Sequence, residues 1–486
     1  MITFIVGLVA LVVGAAVYGR LSEKVFGPSD RETPAVANYD GVDFVPMKKW
    51  KNSLIELLNI AGTGPILGPI QGILFGPIAF ITIPIGCVIG GAFHDYMSGM
   101  ISIRNDGEQM PGLIRRFLGR RVFVIYNILV CLLMLLVGVV FIYTPGDLFV
   151  THILHGESTL KNPATWIVYG VIFAYYIVAT LLPIDRIIGR IYPVFGAILL
   201  LSAVGVFAGL FLNGYRLNEL WETGFSFLNP YGDSFIPIFF VTVACGIVSG
   251  FHSTQATLIS RTVRHEREGR MTFYNMMILE GFIAMVWAAA AMGAVNAGLA
   301  TNDMLRDQPT SVVGVVARHM LGSIGGTTAI IGVIVLPITS GDTALRSLRI
   351  MISDTLHIDA TKKRNNLTLA LMIFTVVAAI LIYAKSNAGG FNVLWRYFSW
   401  ANECTAVFAF AMISVYMARH RMPYLMALVP GMFYMYVVTS YILNAPIGFN
   451  LPWAASYIAA AALTLAYGAG LIAYGKKGRT LTPPAE

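Results

Sequence analysis

The sequence predicts an all-α integral membrane protein of about 13 transmembrane helices, with a core of two inverted five-helix repeats and two broken helices. Of its 486 residues, 57% are hydrophobic and 12% are charged, about half of the roughly 25% charged residues in soluble domains. The apolar residues form stretches of about 20, the length that crosses a bilayer as a helix. Two of these stretches are interrupted by Gly and Pro at corresponding places in two halves of the chain. This composition excludes a soluble enzyme, a disordered protein, collagen and a coiled coil.

The apolar stretches are separated by short polar connections. The first stretch has no basic residue before it and so lacks the start of a signal peptide, which predicts a retained helix. The thirteen predicted spans are 2–19, 52–73, 75–101, 121–143, 164–183, 191–213, 234–257, 271–294, 325–345, 366–384, 391–417, 422–443 and 452–474.

Basic residues predict the orientation of these spans. Most of the 33 Lys and Arg residues fall in alternate connections, and cytoplasmic loops are the ones enriched in them. The N-terminus is therefore predicted outside and the C-terminus in the cytoplasm. The net charge of +8 then follows from topology, and the partners it implies are anionic membrane lipids and not nucleic acid.

Five spans on either side of residue 214 form the predicted core. Because five is odd, the second set enters the membrane from the opposite face, and repeats related in this way are inverted, a common transporter plan. We expect an extra N-terminal helix with a cytoplasmic loop, a first repeat, an external loop, a second repeat, and two peripheral helices with a tail. Their ranges are 1–51, 52–213, 214–233, 234–417 and 418–486.

Each half opens with a helix that we predict to be broken. The first contains NIAGTGPILGP at 59–69, and the second contains ACGIVSGFHSTQ at 244–255. Unwound backbone at membrane depth lines a cavity or is packed by protein, and a matched pair of breaks points to a binding site. The alternative is that the glycines permit close helix packing and the prolines only kink the chain. The predicted substrate-binding residues are Gly62, Thr63, Gly64, Gly68, Gly246, Gly250, His252, Ser253 and Gln255.

Ionisable side chains inside predicted spans are further candidates, because a charge at the bilayer centre costs at least about 2.5–3.5 kcal/mol. Glu280 and Glu403 lie in mid-span, and we predict that they take part in proton coupling. The alternatives for Glu280 are a salt bridge to another span or a protonated structural carboxyl. We expect the adjacent His94 and Asp95 to be a structural cap or loop anchor, and Glu56 to lie at the membrane interface.

The ninth predicted span ends in LPITSGDTALR at 336–346, which offers hard oxygen ligands of the kind that suit a small cation. The freed carbonyls of the first broken helix are predicted to lie nearby. The alternative is that Asp342 pairs with Arg346 and the hydroxyls bond back into their own helix. The candidate cation site consists of Ala61, Thr339, Ser340, Asp342 and Thr343.

In these stretches the chain resembles the carbon starvation family of bacterial inner-membrane transporters. ACGIVSGFHSTQ and LPITSGDTALRS are the most specific of the matching stretches. The chain departs from the family pattern at Leu57-Leu58-Asn59, where a histidine pair is usual, and at Glu403, where Gln is usual. The other matching stretches are IAGTGPILGP (60–69), GAFHDYMSGMISIRNDG (91–107), LLPIDRIIGRIYP (181–193), ILEGFIAMVWAAAAMG (278–293) and LWRYFSWAN (394–402).

The resemblance implies a LeuT-like inverted repeat, a bacterial inner-membrane location and proton-coupled import of pyruvate, peptides or amino acids. We therefore predict a secondary active symporter for a small carboxylate-bearing nutrient. The alternatives are Na⁺-coupled transport and a membrane-embedded sensor that binds the nutrient without transporting it. An enzyme is disfavoured because no Ser/His pair, metal motif or cofactor signature stands out, and we predict no cofactor.

Overall fold

The computed structural model describes the chain except residues 42, 182–184, 224–228, 357, 359–362, 388 and 479–486. Within the described helices, the side chains of 179–181, 185–193, 339, 342, 343, 354, 355, 363, 366 and 478 are also left out of the description.

The described chain is built of helices. In order they are α1 (Ile2–Phe26), α2 (Pro34–Ala37), α3 (Lys49–Ile60), α4 (Gly64–Gly72), α5 (Ala79–Gly86), α6 (Ala92–Ile103), α7 (Met110–Leu118), α8 (Arg120–Leu148), α9 (Pro163–Leu181), α10 (Asp185–Leu212), α11 (Leu220–Thr223), α12 (Phe240–Ile247), α13 (Gly250–Ile259), α14 (Asn275–Asn296), α15 (Asn302–Asp307), α16 (Pro309–Thr355), α17 (Lys363–Ser386), α18 (Gly390–Arg419), α19 (Leu425–Asn444) and α20 (Trp453–Gly478).

Eleven helical stretches in the described part of the chain are long and apolar enough to cross a membrane. Each of the thirteen predicted spans overlaps a helix. One of the eleven stretches, Gly64–Ile103, is divided by Gly76, whose φ of 81° is not helical, and α9 contributes a shorter apolar helix, Pro163–Val178. The all-helical membrane fold is therefore confirmed, while the number of spans and the inverted repeat stay predictions.

Both predicted breaks are present. Residues 61–63 separate α3 from α4, and residues 248–249 separate α12 from α13. Pro65 stands in the first turn of α4, where its missing N–H costs no intrahelical bond. At the second break, Val248 and Ser249 are extended, with φ values of −148° and −135°. Glycine and proline thus interrupt the helices where the sequence predicted.

The broken helices lie at the centre of the packing. Helix α4 packs against α12 and α14, and α13 packs against α6 and α18. Helix α18 is almost wholly buried, whereas α1 and α20 are mostly exposed. Their exposed faces carry apolar side chains such as Val12 and Leu465, which suit contact with lipid. The central helices are therefore the ones that can enclose a polar site.

The start of α1 is held by a carboxylate from the segment before α11. Glu219 accepts hydrogen bonds from the amides of Ile2 and Thr3 at 2.7 and 2.8 Å, and it forms an ion pair with the Met1 ammonium. Burial acts to raise the pKa of Glu219, but the ammonium and the Thr3 hydrogen bonds lower it to about 2. The start of α1 and the segment around 219 therefore lie at the same end of the molecule.

Candidate functional site

The first break presents a polar side chain at the centre of the protein. The Gly62 amide donates to the carbonyl of Ile60 at 2.9 Å, and its backbone lies so close to α8 that a Cβ would stand 2.9 Å from Cζ of Phe141. The hydroxyl of Thr63 is buried and has no hydrogen-bond partner in the described part of the chain. A buried hydroxyl without a partner is costly, so Thr63 is available to a ligand.

The second break is filled by Asn402 of α18. Its Oδ1 accepts a hydrogen bond from the backbone N–H of Phe251 at 2.9 Å. Its Nδ2 donates to the hydroxyl of Ser249 at 2.9 Å. The first N–H groups of a helix need partners from outside the helix, and here a side chain from another helix supplies one. Asn402 is not among the site residues predicted from the sequence, although an amide inside an apolar span was a signal.

His252, in the first turn of α13, lies between two carboxylates. Its Nδ1 is 3.1 Å from Oδ2 of Asp95 in α6, and its Nε2 is 3.5 Å from Oε2 of Glu280 in α14. The other oxygen of Asp95 is 2.8 Å from Nδ1 of His94. All four side chains are buried. We call His94, Asp95, His252 and Glu280 the carboxylate–histidine cluster.

The geometry of this cluster leaves room for one proton beyond that of a neutral imidazole. A neutral imidazole carries one N–H and can donate to only one carboxylate, yet both ring nitrogens of His252 face carboxylate oxygens. Neither oxygen of Glu280 has a hydrogen-bond partner among the described residues, and one further proton, on the ring or on Glu280, would satisfy both contacts of His252. Asp95, which we expected to be a structural cap or loop anchor, is therefore part of the candidate site. Glu280 contacts His252 of another helix, as in the alternative of a salt bridge to another span.

Glu56, predicted to lie at the membrane interface, is buried inside the protein. It is 0% exposed, and neither carboxyl oxygen has a hydrogen-bond partner among the described residues. It lies close enough to Asp95 and Glu280 to interact with them electrostatically. Helix packing explains this burial, because α13 and α14 both cover α3.

Glu403 is also fully buried, on α18. Neither of its carboxyl oxygens has a hydrogen-bond partner within the described ranges. Its helical neighbour Asn402 is the residue that fills the second break. A role for Glu403 in proton coupling stays a prediction.

The predicted substrate-binding glycines lie at close contacts between helices. A Cβ at Gly64 would overlap the side chain of Cys245, and one at Gly250 would overlap Thr405. These contacts favour the alternative of close packing, and a role in binding substrate stays a prediction. Gly68 and Gly246 are also closely packed. A Cβ added at Gly68 would lie 2.8 Å from the carbonyl oxygen of Thr242, and one added at Gly246 would lie 3.0 Å from Cβ of Ala284.

Two polar cavities lie at opposite ends of α8 and α16. One, of about 100 Å³, is lined by Gln255 together with Met134 and Ser347. The other, of about 680 Å³, is lined by Asp147 and Lys385, which form an ion pair. Gln255 therefore lines a cavity, and its role in binding substrate stays a prediction. The hydroxyl of Ser253 instead donates to the carbonyl of Gly250 at 2.7 Å.

The candidate cation site is described only in part. Ser340 is buried, and its hydroxyl has no hydrogen-bond partner in the described residues. The side chains of Thr339, Asp342 and Thr343 lie outside the described residues, so this site stays a prediction. No group of three or more His, Cys, Asp or Glu among the described residues is arranged to hold a metal ion.

A family comparison matches most of the chain. The sequence model of the family described as carbon starvation protein CstA matches residues 1–153, 144–319 and 310–441.

Relatives of this chain include two named transporters of Escherichia coli. A Haemophilus influenzae protein described as an uncharacterized membrane protein is 41% identical over 60% of this chain and 91% of its own length. The Escherichia coli peptide transporter CstA is 24% identical over 79% of this chain and 72% of its own length. The Escherichia coli pyruvate/proton symporter BtsT is 26% identical over 55% of this chain, and the match spans 45% of the symporter.

Solved structures share the fold at low identity. The Eremococcus coleocola manganese transporter has a TM-score of 0.62 and 11% identity, covering 92% of this chain and 99% of the transporter. Mhp1, a nucleobase-cation-symport-1 family transporter, has a TM-score of 0.51 and 14% identity, covering 89% of this chain and 96% of its own. These neighbours are LeuT-like transporters, which confirms the predicted fold class. The apolar helices and the transporter relatives together indicate a multi-pass protein of the inner membrane.

Proposed function

Because this chain belongs to the carbon starvation protein CstA family, whose members are membrane transporters and not enzymes, we propose that it is a secondary active symporter that imports a small carboxylate-bearing nutrient with protons. Pyruvate, amino acids and peptides are the candidate nutrients, because relatives are named for pyruvate and for peptides. In this proposal the N-terminus is outside, and the cavity lined by Asp147 and Lys385 opens outward.

The observation that carries proton coupling is the position of His252 between Asp95 and Glu280. Charges buried at membrane depth need a partner or a proton. Loading a proton joins His252 to Glu280, and releasing it leaves two carboxylates to compete for one imidazole N–H. The stability of the contact between α13 and α14 therefore depends on whether the cluster holds the proton.

This contact adjoins the second break, which makes it suitable for coupling. His252 follows the extended residues Val248 and Ser249, and such a short unwound segment can absorb a change in backbone angles. A proton that strengthens the His252–Glu280 contact thereby favours one position of α13 relative to α12. A substrate that binds one of these positions better shifts the same equilibrium, and this is the requirement for symport.

The nutrient would cross between the two polar cavities. Both cavities border α8 and α16. Helix α4 packs against α16, and α13 contributes Gln255 to the smaller cavity. The free Thr63 hydroxyl at the first break and the amide of Gln255 at the smaller cavity are suitable donors for a carboxylate. In this arrangement the proton and the nutrient occupy neighbouring sites.

One observation favours the alternative of Na⁺ coupling. The buried hydroxyl of Ser340 lacks a hydrogen-bond partner within the described part of the chain, and a small cation takes oxygen ligands of this kind. Under this alternative, Thr339→Ala combined with Ser340→Ala should raise the Na⁺ concentration that uptake requires. Under proton coupling, the same double variant should change uptake little.

The test is uptake by purified protein in proteoliposomes. Labelled pyruvate, alanine and dialanine would be offered with an inward proton gradient or an inward Na⁺ gradient, with the membrane potential clamped by K⁺ and valinomycin. We expect accumulation of at least one nutrient with the proton gradient, and its loss when a protonophore is added. Accumulation driven only by Na⁺ would contradict proton coupling. Saturable binding without accumulation under either gradient would identify a sensor.

A further inference from the structure

An apolar groove of about 650 Å³ lies between α8, α18, α19 and α20. Residues such as Val407, Phe408 and Leu471 line it. It adjoins the apolar outer surface, where Ile128 of α8 is 65% exposed. We call this feature the α8–α20 groove.

The length of the groove matches one leaflet of a bilayer. Trp400 and Ala411 of α18 both line it, and the rise between them is about 16 Å at 1.5 Å per residue. Half of a hydrocarbon core about 30 Å thick is about 15 Å. The groove therefore has the dimension of a single acyl chain lying along the bilayer normal.

One end of the groove carries an unpaired cation. Arg121, in the first turn of α8, lines this end, is exposed, and has no hydrogen bond or ion pair with any described residue. At the same end, the guanidinium of Arg419 lies 5.2 Å from the ring centroid of Tyr474, which also lines the groove. The Nε of Arg419 is buried and has no hydrogen-bond partner in the described chain. Two positively charged side chains, Arg121 and Arg419, therefore lie where a lipid headgroup would be.

We propose that the α8–α20 groove binds an anionic phospholipid, with one acyl chain along α18 and the headgroup phosphate on Arg121. An uncharged apolar ligand would fill the groove but leave the cation unpaired, whereas a guanidinium matches the geometry of a phosphate. Basic pockets between transmembrane helices are suited to anionic headgroups. The proposal does not depend on the transport activity proposed above.

The bound lipid would support the helix that closes the second break. Cys404 lines the groove, and Asn402 lies two residues away, about 200° around the helix. On the side of α18 that faces away from the groove, Asn402 accepts a hydrogen bond from the backbone N–H of Phe251. Lipid on the outer side of α18 therefore packs against the same helix that holds the second break, and we expect it to raise the thermal stability of the protein.

The proposal can be tested by native mass spectrometry of purified, delipidated protein titrated with phosphatidylglycerol or with phosphatidylcholine of the same chain length. We expect the wild-type protein to retain one phosphatidylglycerol in preference to phosphatidylcholine. Arg121→Gln should weaken phosphatidylglycerol binding about tenfold, the size of one lost charge-assisted contact. Leu129→Trp should weaken both lipids, because Leu129 lines the groove and a larger side chain would occupy it.

Two neighbouring substitutions provide matched controls. Arg120→Gln removes an exposed charge that does not line the groove, and Ile128→Trp enlarges a side chain on the outer surface of the same helix. Both should bind lipid as the wild-type protein does. Equal affinity of the wild type and Arg121→Gln for phosphatidylglycerol would overturn the proposal. An equal loss in Arg120→Gln would also overturn it, since general attraction to the basic surface would then explain the binding. If Leu129→Trp fails to fold, the comparison of the two arginine variants decides.

Discussion

At the scale of single residues, the arrangement around His252 depends on side chains that are distant in sequence. Asp95 and His252 are 157 residues apart, and they meet only because α6 packs against α13. The sequence indicated Glu280 from its depth in a span and His252 from its place after a break. It could not indicate Asp95, because the depth of a residue in its own helix does not reveal which helix faces it.

Glu56 is the second residue whose environment comes from packing. An ionised carboxylate that is fully buried without a partner costs several kcal/mol or more. Both oxygens of Glu56 are buried without a hydrogen-bond partner among the described residues. We infer that Glu56 is neutral in this conformation.

Glu56→Gln should therefore fold and transport much as the wild-type protein does, because the amide has the size and neutrality of a protonated carboxyl. We expect a change in the free energy of unfolding within about 1 kcal/mol, measured by thermal unfolding in detergent, and uptake within about twofold in proteoliposomes. If a stably folded Glu56→Gln variant lost proton-driven uptake, Glu56 would have to ionise during the cycle.

At the scale of helices, local sequence predicted the two breaks well. Gly62 and Pro65 interrupt the first helix, and Gly246 and Gly250 flank the extended residues of the second. These residues act through their own backbones, so their effect can be read along the chain. The partner of the second break, Asn402, lies 151 residues from Phe251. Its contribution depends on tertiary packing and could not be predicted.

Asn402→Ala should destabilise the protein because it leaves the buried amide of Phe251 without its acceptor. The expected cost is about 1–3 kcal/mol, seen as a lower unfolding temperature in detergent. Ser249→Ala is the matched control, since it removes the hydroxyl that contacts Asn402 but keeps the bond from the Phe251 amide. Equal destabilisation by the two variants would show that the Phe251 bond contributes little.

At the scale of the whole molecule, the fold follows from the pattern of apolar stretches and breaks more than from particular residues. The manganese transporter shares the overall shape with a TM-score of 0.62 at 11% identity. Composition and span length therefore sufficed to predict a helical membrane protein, and the resemblance to the carbon starvation family implied its LeuT-like class. The candidate site was predicted less completely, because charges from α3, α6, α13 and α14 converge only in the folded chain.

Proton coupling through Glu280 is tested most directly by Glu280→Gln, which mimics the protonated carboxyl but has no proton to release. The measurement compares substrate exchange without a gradient and accumulation driven by a pH gradient, in the same proteoliposomes. Glu403→Gln is measured in the same way, because a role in proton coupling is also predicted for this buried carboxyl of α18. We expect Glu280→Gln to exchange substrate within about threefold of the wild-type rate and to lose gradient-driven accumulation by at least about tenfold. Accumulation by Glu280→Gln at the wild-type rate would contradict proton coupling through the carboxylate–histidine cluster.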